Sequence, residues 1–240
     1  MRAATASRLA GEDVRDLLLV GLTFVSGAVD AVSFLGLGHV FTAMMSGNFI
    51  LLGLAVGTGA GAEALRAAVS LLLYVAGVFA ASRLVRDYAA PRAWPTGGTM
   101  ALICEAIAQA GLLAGWVGAS GHPNQAFEAV LVGLSALSMG LQTGAVARLG
   151  VSGVTTTYVT GTLVGMVGAL ALGSGTRREL TRRAVVLISL VLGAVCSAVL
   201  LKGARELAPV LPLAVTVLVI AVALHRLREP ETLDDFEPLS

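Results

Sequence analysis

The sequence predicts an all-α integral membrane protein of about six transmembrane helices, arranged as two inverted three-helix repeats that each carry a Gly-broken re-entrant or discontinuous segment. Three observations lead there. First, A, V, I, L, M, F, W, Y and C make up 56% of the 240 positions and Asp, Glu, Lys and Arg only 13%. A water-soluble fold would lack the polar groups to cover its own surface, so lipid has to be the solvent. Second, six apolar stretches approach the roughly 20 residues needed to cross a bilayer core of about 30 Å. Third, two further stretches are apolar at both ends but polar and glycine-bearing at their centres, and they occupy matching places in the two halves of the chain.

The elements follow in order. A polar segment, 1–15, precedes the first apolar run, 17–37, which is too long for a signal-peptide core and lacks an A-x-A exit, so it is read as a retained helix. Next comes the first interrupted stretch, 40–60, with Met44-Met45-Ser46-Gly47-Asn48 at its centre. Spans 67–85 and 96–117 complete repeat 1, about 16–118. Repeat 2, about 126–226, opens with span 126–147. The second interrupted stretch, 151–174, follows, with Thr155-Thr156-Thr157-Tyr158-Val159-Thr160-Gly161-Thr162 at its centre. Spans 184–201 and 207–224 close the repeat before an acidic tail, 229–240. With such short ends no soluble domain is expected. Gly and hydroxyl residues at mid-segment weaken a helix and free backbone groups, which lipid tolerates only where protein encloses them or a cavity is lined by them. Direct comparison pairs Gly21, Leu22 and Ser26 with Gly133, Leu134 and Ser138. It pairs Thr42 and Gly47 with Thr156 and Gly161, and Arg66 and Gly77 with Arg182 and Gly193.

Positive residues in short loops concentrate on the cytoplasmic side. With both interrupted stretches re-entrant and both termini inside, only Arg66, Lys202 and Arg205 of the 16 Lys and Arg fall outside, a split of 13 to 3. If both stretches crossed, Arg83, Arg86, Arg92 and Arg148 would move out and Arg66 in, a split of 10 to 6. The six-span arrangement wins, and its odd number of spans per repeat turns the second half upside down. Fifteen Arg against one Lys, with abundant Ala and Gly, suggests a GC-rich bacterial genome, hence an inner-membrane location with cytoplasmic termini.

Asp30 is the sharpest feature, because a charge inside a span costs about 2.5 to 3.5 kcal/mol even on the mildest scale. At helical spacing Thr23, Ser26, Asp30 and Ser33 form a polar stripe, and the aligned stripe of the second half, Ser135, Ser138 and Gln142, puts an amide where the acid stands. Either the stripes hydrogen-bond to each other, or they line a substrate or ion pathway. In the second case Asp30 binds a proton or cation, and Asp30→Asn keeps its shape and hydrogen bonding. Glu105, with Gln109 one turn on, is a proton site, a partner for Asp30 or an acid kept neutral by burial. Thr42, Ser46, Gly47 and Asn48 in one interrupted stretch, and Thr156, Thr160, Gly161 and Thr162 in the other, offer hydroxyls and free helix ends that can hold ions or polar solutes. They also suit close helix packing. Glu128 reads as interfacial, and Arg177-Arg178 with Arg182-Arg183 as an anchor on anionic lipid. Cys104 and Cys196 lie in apolar spans and read as packing residues. His39, His122 and His225 are scattered, so no metal site or cofactor is expected, and no nucleic-acid role.

The run GAVDAVSFLGLGHVFTAMMSGNFILLG, residues 27–53, resembles the signature of the YoaK-like family of bacterial polytopic membrane proteins, whose function is unknown. The matching elements are Asp30-Ala31, Phe34-Leu35-Gly36-Leu37-Gly38 and Met45-Ser46-Gly47-Asn48, and Tyr158 to Thr162 resembles the family's repeat of the last. The resemblance implies a polytopic membrane protein and no particular substrate. The functional expectation is a small-solute or ion transporter or channel, with a proton as one coupling ion and a homodimer as one assembly. A structural or assembly protein without a pathway is the alternative. No P-loop is present, so ATP-driven pumping by this chain alone is excluded. A membrane-embedded hydrolase built on Ser46 and His39 is the third reading.

Overall fold

The computed structural model describes residues 2–85, 96–147 and 159–226, with side chains described from Asp13 onward. Among the described residues there are helices and loops but no strand. The helices are α1 (Arg2–Gly36), α2 (Met45–Thr58), α3 (Gly61–Leu84), α4 (Thr96–Gly118), α5 (Gln125–Ala147), α6 (Val159–Leu172), α7 (Arg177–Gly203) and α8 (Val210–Arg226), with a 3₁₀ turn at Arg205–Leu207. The order is a long helix, a short one and two long ones, and then the same again.

Six helices are long and apolar enough to cross a membrane: Asp13–Gly36 of α1, α3, α4, α5, α7, and Arg205–His225, which joins the 3₁₀ turn to α8. Their outward faces carry large apolar side chains, such as Leu72, Val75 and Phe79 on α3 and Ile188, Val191 and Val195 on α7, all exposed. Water would penalise that surface and acyl chains do not. The chain is a multi-pass membrane protein. α2 and α6 have 14 residues each, about 21 Å at 1.5 Å per residue, too short to cross alone.

Both interrupted stretches were expected to break at their polar centres; the structure corrects this for the first, while Thr155 to Tyr158 of the second centre lie outside the described residues. Ser46, Gly47 and Asn48 lie in the first turn of α2, and Thr160, Gly161 and Thr162 in the first turn of α6. The first break is upstream, at 37–44. Gly38 (φ 82°) and His39 (φ 61°) are left-handed there, which ends α1 and turns the chain back. Ser and Asn favour helix starts over helix interiors, so the motif opens the short helix instead of interrupting it. In the second half the corresponding stretch, 148–158 with Gly150 and Thr156, lies outside the described residues.

Two close crossings organise the bundle. On α1 and α7, a Cβ on Gly27 would collide with the Leu190 carbonyl, and one on Gly193 with the Phe24 carbonyl. On α3 and α5, a Cβ on Gly140 would collide with the Tyr74 carbonyl, and one on Gly77 with the Leu137 carbonyl. Glycine lets the backbones approach, which is how helices gain dispersion energy when lipid supplies no hydrophobic drive between them. Each pair runs parallel and is tied at its starting end by an ion pair, Arg66 to Glu128 at 3.1 Å for α3 and α5, and Arg182 to Asp16 at 3.6 Å for α7 and α1. The two pairs run in opposite directions, since Gln142 late in α5 meets Leu22 and Ser26 of α1 while Ser135, earlier, meets the loop beyond α1. α5 is the most enclosed span, with 72% of its apolar window buried. α8 packs on α1 and α4, α2 on α3, and α6 on α7.

Gly140→Ala should lower stability by about 1–3 kcal/mol through the forced separation of α3 and α5. Gly53→Ala, on an α2 face with nothing within 4 Å, should be neutral or stabilise by up to about 1 kcal/mol. Unfolding midpoints in detergent compare the two variants, and equal midpoints would mean that the crossing is not tight.

Candidate functional site

The break at 37–44 poses a chemical problem, because its backbone N–H and C=O groups leave the helical pattern between an apolar span and a short apolar helix and still need partners. Two side chains solve it. Asp30, six residues before the end of α1, accepts the N–H of Thr42 and of Ala43 on Oδ1, both at 2.7 Å, and the N–H of Met44 on Oδ2 at 3.1 Å. Asn48, in the first turn of α2, accepts the Phe41 N–H on Oδ1 at 2.9 Å and donates from Nδ2 to the Phe41 carbonyl at 2.5 Å. An amide is the one side-chain group that can pair with both backbone groups of a single residue in this way.

The third element is α3. Ser70 donates to the Phe41 carbonyl at 2.7 Å and accepts from Asn48 Nδ2 at 2.9 Å. The fourth is α5, where the Ser135 hydroxyl meets the Thr42 hydroxyl at 2.9 Å. Asn48, Thr42, Ser70 and Ser135 are all buried, and Asp30 is half-buried. Gly47 leaves room for the Phe41 ring, which a Cβ there would approach to 2.9 Å, and Phe41 stacks on Phe34 with centroids 4.9 Å apart. Gly36 lies on the Trp116 ring and Gly38 on the Arg66 guanidinium. The break is thus pinned from four helices.

Its electrostatics are those of an anion at a helix start. α2 has no capping side chain of its own. The Asp30 carboxylate lies just ahead of that helix start instead, held by charge-assisted bonds from the N–H groups of the three residues that precede α2, where the positive end of the helix dipole favours an anion. The costly carboxylate expected in the first span is balanced by backbone donors and not by a basic side chain.

The polar stripe continues below. Gln142 donates from Nε2 to the Leu22 carbonyl at 3.0 Å and to the Ser26 hydroxyl at 2.9 Å, joining α5 to α1. Thr23 and Ser26 bond back to carbonyls of their own helix, and Ser138 to that of Ser135. Asp30, Thr42 and Asn48 belong to the cluster at the break, and Ser26 and Gln142 to a second cluster further along the same faces of α1 and α5, whereas Ser46 is exposed at the start of α2.

Several expectations are corrected. Asp30 holds a loop of its own half, while Gln142, aligned with it in sequence, bridges to the opposite half. Glu105 does not partner Asp30. It is fully buried between α4 and α8, where Oε1 accepts from Gln109 Nε2 at 2.8 Å and from Thr216 at 3.4 Å. Glu128, expected at the interface, stands in the first turn of α5 and is paired with Arg66. In the second half, Thr162 is buried, Thr160 is exposed and Gly161 is half-buried, while Thr156 lies outside the described residues. Sequence reasoning missed Ser70 and Thr216. The available signal was a lone hydroxyl inside an otherwise apolar span.

Residues 18–224, nearly the whole chain, match the family described as "Protein of unknown function (DUF1275)". The chain belongs to the DUF1275 family. It is 37% identical over 155 residues to UPF0700 transmembrane protein YoaK of Bacillus subtilis (strain 168), a match that covers 64% of this chain and 66% of that relative. No solved structure matches the chain. The resemblance to this family rests on an Asp-Ala pair and a Met-Ser-Gly-Asn motif, and in this DUF1275 chain those motifs contain Asp30 and Asn48, the two side chains that hold the break.

Asp30→Asn turns out not to be a silent exchange, because its amide presents N–H to N–H at one of the two positions where Asp30 accepts. It should destabilise the DUF1275 fold by about 1–3 kcal/mol, the cost of a buried donor left unpaired, and Asp30→Ala by more. Hydrogen exchange read by mass spectrometry should speed up selectively in the peptide covering 41–44, and unchanged exchange there would refute the stapling role.

Proposed function

We propose that the protein is a small-solute or ion transporter or channel built from two inverted repeats, with its polar site where the break meets α1 and α5. The observation that carries this reading is the non-helical backbone between the first span and the short apolar α2, fixed by Asp30, Asn48 and Ser70 and touching α5 through Thr42 and Ser135. Irregular backbone inside a bilayer is costly, and a bundle that only had to stand in lipid could use an unbroken helix. Discontinuous helices recur where a membrane protein must offer polar groups to something that passes.

Support for the inverted plan comes from the crossings and the ion pairs. Gly27 with Gly193 on α1 and α7 corresponds to Gly140 with Gly77 on α5 and α3. The Arg182 to Asp16 pair corresponds to the Arg66 to Glu128 pair at the opposite end of the bundle. The ion pairs keep the register of the sequence alignment, whereas the crossing glycines of α1 and α5 are offset from it by one residue, and in the glycine register Thr143, which bonds the Tyr74 hydroxyl at 3.0 Å, stands where Asp30 does. The charge bias supports cytoplasmic termini in a bacterial inner membrane.

A second reading, a structural or assembly protein without a pathway, is favoured by one observation. The α1 and α5 stripes bond directly to each other through Gln142, as packing residues do. Catalysis is not proposed. Ser46 and His39 are both exposed, and among the described residues no hydrogen bond joins them.

Proteoliposomes tested across a panel of small solutes and ions decide between the two readings. Transport predicts flux of at least one member, changed severalfold by Ser135→Ala and unchanged by Gly53→Ala. No flux for any solute favours the structural reading. Cysteine labelling from each side tests the topology, and external labelling at position 90 would sink the six-span inverted arrangement.

A further inference from the structure

A carboxyl group stands in the middle of α4 with no basic side chain bonded to it. Glu105 is fully exposed to nothing but protein, at 0% relative exposure, and Gln109 and Thr216 beside it are at 1% and 0%. Glu105 Oε1 accepts from Gln109 Nε2 and from the Thr216 hydroxyl of α8. Glu105 Oε2 and Gln109 Oε1 have no hydrogen-bond partner. Acid, amide and hydroxyl thus converge in the seam between α4 and α8 with two buried oxygens that no donor satisfies. A third such oxygen, Gln142 Oε1, belongs to α5. Gly111 faces Leu134 and Gly115 faces Leu131 across the α4–α5 hairpin, and continuing that antiparallel register brings Glu105 level with Gly140 to Gln142.

Among the described residues, the charged and titratable groups of every element packed on α4 are occupied or placed elsewhere; the Arg226 side chain at the end of α8 lies outside them. On α5, Glu128 is paired with Arg66 of α3. On α3, Glu63 and Arg83 stand at the helix ends and the Tyr74 hydroxyl bonds Thr143. In the 3₁₀ turn, Arg205 bonds the Gly121 carbonyl and lies over Trp116, and Glu206 is exposed. On α8, His225 lies in the last turn and is exposed. α4 itself adds only Cys104.

An ionised carboxyl at such a place needs a compensating positive charge. The ligand set is all oxygen, from carboxylate, amide and hydroxyl, which suits a hard cation and not a soft transition metal. One carboxylate balances one positive charge. We propose that Glu105, Gln109 and Thr216 form a binding site for a single monovalent cation, a proton or a sodium ion, separate from the break. Both neutral partners serve the empty and the filled site, because each can turn. They donate to the carboxylate in the arrangement seen, and offer their oxygens once a cation arrives. Within the transport reading this is the site of the coupling ion, and that assignment rests on the reading; cation binding does not.

The full chain purified in detergent provides the test, with a thermal midpoint followed in sodium chloride against choline chloride at constant ionic strength, and infrared difference spectra followed over pH. A sodium site predicts a midpoint that rises with sodium, a rise absent in Glu105→Gln. It also predicts a half-saturating sodium concentration increased about tenfold in Thr216→Val, for a lost oxygen ligand. A proton site predicts no sodium effect but a protonated-carboxyl C=O band that disappears in Glu105→Gln and moves in Gln109→Leu. If Glu105→Gln does not fold, Thr216→Val and Gln109→Leu carry the same comparisons. Absence of both signatures, or a sodium response unchanged by these substitutions, overturns the proposal. Silent proteoliposomes alongside a filled site would sink the transport reading and leave the cation site standing.

Discussion

Hydrocarbon accepts and donates no hydrogen bonds, so a backbone group that leaves a helix inside a bilayer has to find its partner within the protein. The break after α1 meets that requirement with borrowed side chains. Asp30 serves three N–H groups from the helix the chain has just left, and Asn48 serves both backbone groups of Phe41 from the helix it is about to enter. The two staples reach the loop from opposite ends, so its conformation is over-determined. The surrounding choices follow from it: a small residue at position 47 beside Phe41, a hydroxyl at position 70, and left-handed residues at 38 and 39 to reverse the chain.

The rest of the bundle holds those staples at a fixed spacing. α1 and α3, which carry Asp30 and Ser70, are not clamped mainly to each other. Each is pressed against a helix from the other half of the chain, α1 on α7 and α3 on α5, through glycines that admit no side chain. α5 then links the two systems, touching α3 along its length, α1 through Gln142 and the break through Ser135. This explains why the most enclosed span also bears the row of small and polar residues Ser135, Ser138 and Gln142.

How much of this could be read from the residues depends on the range of the interaction. Span positions were legible because the cost of apolar length is local and additive, so the run at 96–117 and α4 agree to within a residue at each end. Asp30 and Asn48 could be picked out because their residue types are expensive where they stand. Their partners could not, since Asp30 meets backbone atoms, which every residue carries alike. The position of the break was misjudged for a related reason. Gly47 looks like a helix breaker in a window of sequence, yet at the first turn of a helix its penalty is small and Ser46 and Asn48 are at home. Ser70 and Thr216 escaped notice because one hydroxyl in an apolar run is a weak signal until the facing group is known.

The pairing of α1 with α7 has a bearing on how the protein is made. A chain that emerges from the ribosome in order delivers α1 first and its partner almost last, so the groove at Gly27 stays unfilled while every intervening helix enters the membrane. Contacts this distant along the chain form late and leave earlier segments waiting. The N-terminal half cannot mature into a finished unit ahead of the C-terminal half. Its nascent helices must either rest against lipid or be shielded by the insertion machinery until the closing segment arrives, which makes completion of synthesis the event that commits the bundle to its final packing.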